Sequence, residues 1–211
     1  MAARERGRGR REEPREVQIS KYMSYVLRHG AAKEGVKMDA GGWVEVDALL
    51  SLKKMASKKV SEEELKVVVT TNAKKRFALK EEDGVLFIRA TQGHSLDSVK
   101  SANLLRKLTL DDLPNYPVVV HGTTRDNYKK IQESGGLSKM GRNHIHFAQG
   151  LPKDRVVSGM RNSSNLFIYL DTQKCLEDGL EVFVSENGVI LLPGDERGFL
   201  DVKYFREVVE E

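Results

Sequence analysis

The chain has 211 residues, 39% hydrophobic and 31% charged, with 35 Lys and Arg against 31 Asp and Glu and a formal net charge of +4. That composition belongs to one large or two small folded domains and excludes a disordered polymer, and no apolar run approaches the roughly 20 residues of a membrane-spanning helix. The single cysteine, Cys175, leaves no intramolecular disulfide and no Cys-rich zinc module, which fits a reducing cytosolic or nuclear compartment.

Residues 1–16 (MAARERGRGRREEPRE) are charged, Gly-punctuated and nearly free of large apolar groups, so they read as a disordered basic tail. With no apolar segment behind it, the tail is not a secretory signal; it is either a plain solvated leader or an RNA-attracting or nuclear-targeting arm. Order is expected from near Val17. Ile19, Tyr22, Met23, Val26 and Leu27 recur at helical spacing on one face, and Gly30 is a natural stop. Trp43 to Val46 reads as a short strand, with Asp47 capping a second helix. Ser61 and Glu64 form a capping-box signature for a third helix, from Glu62 to about Thr71. Residues 76–80 and 85–89 alternate as a β-hairpin around an Asp-Gly turn. Helices followed by a hairpin resemble a winged-helix module, a fold-level analogy that raises the expectation of nucleic-acid binding.

Residues 91–116 shift to polar composition, and a lobe boundary is placed there. Beyond it the pattern predicts a strand at 117–121, a helix at 126–134, a short strand at 144–147, a strand at 166–171, a helix at 173–178 and strands at 181–184 and 188–192. Many short strands with few helices predict a mostly antiparallel α+β lobe.

The candidates for chemistry are scattered. The mild basic excess of the chain permits a phosphate-bearing partner without requiring one. Arg28-His29 ends the first helix: a cation there is favoured by the helix dipole alone, yet the pair also offers an anion clamp beside a titratable proton. Lys74, Lys75 and Arg76 open the hairpin, as a solvated charge run or a phosphate-contacting one. His121-Gly122-Thr123 ends an apolar strand at a glycine that admits close approach of a ligand. Gly135-Gly136-Leu137 reads by itself as a helix C-cap. In Arg142-Asn143-His144-Ile145-His146-Phe147, strand alternation puts His144 and His146 on one face and Ile145 and Phe147 on the other. With His121 these histidines suggest a three-histidine metal site, but no acidic or Cys ligand cluster accompanies them, so a polar ligand is the better reading and no metal is expected. Arg161 lies in Ser158-Gly159-Met160-Arg161-Asn162, and Ser185-Glu186-Asn187-Gly188 is a tight turn in which Glu186 reads as a turn residue.

In order, the segments LRHG (27–30), Arg76 in a hairpin KRF, HGT (121–123), GL with RNHIHFA (136–148), GMR (159–161), LFIYLD (166–171) and SENGVILLPG (185–194) resemble the tRNA 2′-phosphotransferase family, KptA type, over about residues 19 to 206. Each element alone is weak; the ordered set is specific. The resemblance implies a winged-helix RNA-binding lobe at 17–92, a linker region at 93–116 and an ADP-ribosyltransferase-like lobe at 117–211 that binds NAD+. It implies NAD+-dependent removal of the internal 2′-phosphate left at the splice junction of a ligated tRNA. The route runs through a 2′-phospho-ADP-ribosylated RNA to 2′-OH RNA, nicotinamide and ADP-ribose 1″,2″-cyclic phosphate. The family's Arg-His-Arg-Arg set falls on Arg28, His29, Arg76 and Arg161. Its NAD+-binding elements fall on His121, Gly122, Thr123, Gly136, Leu137, Arg142, His144 and His146; Lys74 and Lys75 are expected on the RNA backbone. The catalytic set is split across the boundary, so the site is expected between the lobes. A phosphate dianion is already nucleophilic and needs cations rather than a carboxylate base, which suits this residue set. Expected partners are 2′-phosphorylated tRNA or RNA and NAD+, with no membrane, in the cytoplasm, the nucleus or both, and nothing demands more than a monomer. Three other classes stay open: a transferase that stops after the first step, a silent RNA or ADP-ribose reader, and a winged-helix DNA-binding regulator.

Overall fold

A computed structural model of the protein describes residues 13–151, 160–161 and 163–210. Helix α1 (Arg15–Tyr25) follows Pro14 and buries Ile19, Tyr22 and Met23, and a π-helical turn, Val26–Gly30, continues it and buries Val26 and Leu27. The five apolar positions therefore share one face, as their spacing predicts. The first part of the expected tail, residues 1–12, lies outside the described residues. Its last part is not a tail: Arg15 and Glu16 are helical, and Arg15 donates from Nε and Nη2 to the two carboxylate oxygens of Glu64 at 2.6 and 2.9 Å.

Strand β1 (Val44–Glu45) leads into α2 (Val46–Leu50), whose N-cap is Glu45; Asp47 lies inside the first turn and is not the cap. A short helix α3 (Lys53–Ser57) has no counterpart in the sequence pattern. Helix α4 (Glu62–Thr70) starts as its capping signature predicts, with Ser61 Oγ accepting from the Glu64 amide at 3.1 Å. Strands β2 (Phe77–Glu82) and β3 (Val85–Ala90) pair antiparallel over their whole length, joined by Asp83 and Gly84, both at positive φ (52° and 76°), the geometry of a two-residue hairpin turn. The sheet order is β1-β3-β2. Ile19, Met23, Leu27, Leu49, Met55, Leu65 and Ile88 fill one core between the helices and this sheet.

The polar stretch expected as a linker is folded. It holds α5 (Ser101–Leu104), β4 (Arg106–Lys107) and a 3-10 turn at Leu110–Asn115, closed by a capping box between Thr109 and Asp112. Its apolar residues Val99, Leu104 and Leu105 pack with Phe183, Val189 and Leu191, and with Met38 from the N-terminal half. This core joins the two halves of the chain through the segment between them.

The rest of the described chain runs β5 (Val120–Thr123), α6 (Arg125–Glu133), β6 (Gly136–Ser138), β7 (Ile145–Phe147), β8 (Leu166–Leu170), α7 (Thr172–Glu177), β9 (Phe183–Val184), β10 (Ile190–Leu192), β11 (Phe199–Asp201) and β12 (Phe205–Glu210). Three sheets result, with orders β4-β9-β10-β7, β11-β6 and β12-β8-β5. Every pairing recorded between these strands is antiparallel, so the protein is a mixed α/β fold with mostly antiparallel sheets. Phe147, Ile168, Ile190 and Leu200 centre the C-terminal core. Strands β6, β11 and β12 escaped the sequence reading, and Gly136 shows why β6 is there. It pairs with Asp201, and a Cβ on Gly136 would stand 2.1 Å from the Leu200 carbonyl oxygen. It is thus a close-packing glycine in a strand more than a helix cap. Gly136→Ala is expected to cost on the order of 3 kcal/mol and to lower the thermal midpoint by roughly 6–12 °C; an unchanged midpoint would show that β11 gives way easily.

Candidate active site

Arg28 and His29 sit on the π turn, one residue looser per turn than an α-helix, a device that recurs at functional sites. Arg28 is the unusual residue of the molecule. Its Nε and Nη2 are buried without a hydrogen-bond partner among the described residues. Burial, together with the charges of Arg142 and Arg76, pulls its pKa down to about 10, so it stays cationic at neutral pH but at a cost. The backbone of Gly93, at φ 89°, lies against the guanidinium: a Cβ there would meet Arg28 Cζ at 3.4 Å. A pocket of about 540 Å³ opens on this side chain, lined also by Ser20, Ser24, Asn72 and Arg76.

Arg76 precedes β2. Its amide and Nη1 both donate to Asn72 Oδ1, at 3.2 and 3.3 Å, which aims the side chain into that pocket. The preceding lysines form the turn into the hairpin, with Lys75 at φ 43°. Lys75 is exposed, and the Lys74 carbonyl accepts from the Asn187 side chain at 2.9 Å. The Ser185–Gly188 turn is therefore more than a hairpin connection. Asn187 crosses to the N-terminal half, and Glu186 pairs with Arg89 at 3.1 Å while Arg89 covers Trp43.

The segment after β3 binds the two halves together at the site. Gln92 Oε1 accepts from His146 Nε2 at 2.9 Å. The His94 carbonyl accepts from the Asn143 amide at 2.9 Å, and the Leu96 carbonyl from Asn143 Nδ2 at 3.0 Å. The Ser95 amide donates to the Arg28 carbonyl at 3.0 Å, and Ser95 Oγ bonds His29 Nδ1 at 2.8 Å. Ser101 Oγ bonds His144 Nε2 at 2.8 Å. Gln92, Ser95, Ser101, Asn143 and Asn187 were all missed as site residues. The one visible signal was the Thr-Gln-Gly-His-Ser run itself, polar residues packed around a glycine at the end of an apolar strand.

From the C-terminal half come Arg142 and Arg161. Burial lowers the Arg142 pKa, with the charge of Arg161 adding to it; Arg142 in turn depresses Arg28 and His29. Arg161 also depresses His121, behind the larger effect of burial. Arg76 and Arg142 thus both bear on Arg28, and Arg161 on Arg142, a succession of cations that runs from one half to the other. Among the described residues none of the four is ion-paired to a carboxylate. Like charges brought together without counterions repel, and such an array fits an absent anion. Ser158, Gly159 and Asn162, next to Arg161, lie outside the described residues.

His121, on β5, donates from Nδ1 to the His146 carbonyl at 2.9 Å; a carbonyl only accepts, so the proton is fixed on Nδ1 and Nε2 is left as an acceptor. Burial keeps the ring neutral. Gly122 lies mid-strand beside Met160 and Ser164, and Thr123 is buried. Leu137 is a core residue. Ile145 and Phe147 are buried as the alternation predicts, whereas His144 and His146 turn toward Ser101 and Gln92 and are held within the protein. His121, His144 and His146 do not converge, and among the described residues no three His, Cys, Asp or Glu side chains gather as a metal site requires. Nor is any described helix long and apolar enough to cross a membrane.

An arginine array shared by two halves of a mixed α/β fold and unpaired among the described residues suits phosphate groups. Residues 14–194 match the model of the RNA 2′-phosphotransferase, Tpt1 / KptA family, and the chain belongs to that family. It is 46% identical to tRNA 2′-phosphotransferase 1 of Danio rerio, with 97% of this chain and 93% of the relative covered. It is 45% identical to tRNA 2′-phosphotransferase 1 of Homo sapiens (95% and 78% covered) and 38% identical to tRNA 2′-phosphotransferase of Saccharomyces cerevisiae (85% and 80%).

Proposed function

We propose that the protein is a transferase that removes an internal 2′-phosphate from RNA, the splice-junction phosphate of a ligated tRNA, with NAD+ as co-substrate. The observation that carries the reading is Arg28, whose Nε and Nη2 are buried without a partner among the described residues while its side chain lines a pocket shared with Arg76, Lys21 and Glu16. A phosphate dianion supplies the missing acceptors and the missing charge at once. The α1–β1–α2–α3–α4–β2–β3 order with a terminal hairpin supports a winged-helix reading of residues 17–92 as the RNA side. The antiparallel sheets of 117–211 suit an ADP-ribosyltransferase-like lobe as the NAD+ side, and 93–116 is the folded connection between them.

In this reading Arg28, Arg76 and Arg161 hold the 2′-phosphate and stabilise charge that grows on its oxygens, while His29 moves a proton. His121, with Nε2 as an acceptor, suits a ribose hydroxyl of NAD+; Gly122, Thr123 and Arg142 complete the NAD+ side in this reading. Gly136, Leu137, His144 and His146 act as its frame. Lys74 and Lys75 contact the RNA backbone in this reading. NAD+ supplies the electrophilic ribose carbon that takes the phosphate, and the products expected are nicotinamide, 2′-OH RNA and ADP-ribose 1″,2″-cyclic phosphate by way of an ADP-ribosylated RNA. His121→Ala is expected to raise the KM for NAD+ by about 10–100-fold, the worth of one buried polar contact, while RNA affinity is retained. Equal loss of RNA binding would overturn the division between the halves.

The test of the reading is a short RNA with one internal 2′-phosphate, incubated with and without NAD+ and read by mass spectrometry. NAD+-dependent loss of the phosphate with release of the cyclic phosphate is the expected result. An ADP-ribosylated RNA that never resolves would mean a one-step transferase, and no change would overturn the reading.

A further inference from the structure

We infer that Ser95 is a positioning residue for His29: its hydroxyl holds Nδ1 of the imidazole and so fixes the ring with Nε2 as its free nitrogen, beside Arg28. The catalytic meaning of this rests on the proposed reaction; the orientation itself rests on geometry alone. The His29 side chain is exposed and would otherwise spin freely about its ring bond. Its recorded hydrogen bond is the 2.8 Å contact from Nδ1 to Ser95 Oγ, and Nε2 has no partner among the described residues.

Ser95 is itself fixed from three sides. Its amide donates to the Arg28 carbonyl at 3.0 Å, on the carbonyl-exposing end of the helix that carries His29. The carbonyls on either side of it, of His94 and Leu96, are both held by Asn143, through the backbone amide at 2.9 Å and the side-chain Nδ2 at 3.0 Å. One residue of the C-terminal half therefore brackets Ser95, and through it sets the ring of a residue in the N-terminal half.

A hydroxyl suits the task better than the carboxylate that often supports a catalytic histidine. A carboxylate would stabilise the imidazolium and would repel a phosphate dianion a few ångströms away. Serine adds no charge. It also accepts from Nδ1–H or donates to a bare Nδ1, so the support survives in either tautomer while Nε2 gives up or takes a proton. The charged and titratable groups that bear on His29 are Arg28 on its own turn, Arg142 from the C-terminal half and His94 from the bracketed segment. None is an anion, so the neutral imidazole is the resting form, favoured first by desolvation and then by Arg28 and Arg142.

The experiment compares the full-length chain with Ser95→Ala and Ser95→Thr by two readouts. The first is the ¹⁵N spectrum of the His29 imidazole, assigned by its loss in His29→Gln. The second is the pH profile of phosphate removal from a 2′-phosphorylated oligonucleotide. Ser95→Ala is expected to average the two ring-nitrogen shifts, to displace the pH midpoint and to lower kcat by about 10–100-fold with KM for the RNA nearly unchanged, the usual cost of losing a residue that orients a functional histidine; Ser95→Thr should restore the spectrum and the midpoint. If alanine impairs folding, Ser95→Cys, which keeps the volume without a strong hydrogen bond, gives the same comparison. An unaltered His29 spectrum and pH midpoint in Ser95→Ala would overturn the inference. If the wild-type chain removes no phosphate, the proposed reaction fails, and the spectrum still decides the role of Ser95.

Discussion

Arg28→Met is expected to abolish phosphate removal, by on the order of 10³-fold, and at the same time to leave the protein as stable as before or more so. The two effects share one cause. Arg28 is a cation held in a buried setting with two donors unsatisfied, near Arg142 and Arg76 and with no carboxylate partner. Methionine keeps much of the volume and removes both the desolvated charge and the repulsion. Replacement of a buried charge by an apolar side chain of similar size often stabilises by about 1–2 kcal/mol, which would raise the thermal midpoint here by roughly 2–8 °C. The same melt with a 2′-phosphorylated oligonucleotide should reverse the order, because the wild-type chain gains stability from the ligand and Arg28→Met does not. A midpoint that falls by several degrees in Arg28→Met, with no oligonucleotide present, would make Arg28 a structural residue and remove the main support for the phosphate site.

Stability is expected to fall steeply on mild acidification, well above the range where carboxylates titrate. Burial pushes His94 to about 3 and His144 to about 4, far below the usual value. The folded protein therefore refuses protons that the unfolded chain accepts below about pH 6.5. More protons bound to the unfolded chain means stability that rises with pH, so the contribution is complete above pH 6.5 and is lost as pH falls toward 4. For the two buried rings together, the loss between pH 6.5 and 5 is about 3 kcal/mol, or roughly 6–12 °C in the thermal midpoint. Carboxylates held low, such as Glu64 by Arg15 and Asp112 by its Thr109 cap, act only below about pH 4.5. His94 has no hydrogen-bond partner on either ring nitrogen, so His94→Leu should flatten part of the pH dependence without unfolding the chain. A midpoint that stays level from pH 6.5 to 5 would show that water or local opening reaches these rings.

The features that the sequence displayed were those made by local rules. Ile19, Tyr22, Met23, Val26 and Leu27 announce a buried helix face because 3.6-residue spacing is a property of the helix itself. Ser61 and Glu64 mark a helix start, and Asp83-Gly84 a hairpin, because each is decided within a few residues. Arg28, Arg76, His121, Arg142 and Arg161 were all picked out; in the fold the charges of Arg76 and Arg142 bear on Arg28, and that of Arg161 on Arg142. What was missed was made by distant contacts. Val99, Leu104 and Leu105 follow no period, since they pack against Phe183 and Leu191 rather than along one element. Ser95 and Asn143 are ordinary polar residues until the fold brings them together, and Glu186 and Asn187 form an unremarkable turn until Arg89 and the Lys74 carbonyl reach them. His144 and His146 were read as ligand-facing because alternation gives the face of a strand but not what stands opposite that face.

The π turn at Val26–Gly30 makes the placement of Arg28 and His29 a matter of counting. A π turn accommodates one extra residue within a helix, so deleting one residue there would close the ladder to ordinary α-helix and shift by one position which residues stand where Arg28 and His29 now stand. Gly30 would be drawn off the Tyr25 ring, and the Arg28 carbonyl would be carried away from the Ser95 amide. The stretch ahead of Ile19 is held as well, by Arg15 on Glu64 and by Lys58 on Gln18, so a residue inserted between Arg15 and Ile19 would part the first of these contacts from the rest of the helix. The helix is therefore fixed in register at both its start and its finish.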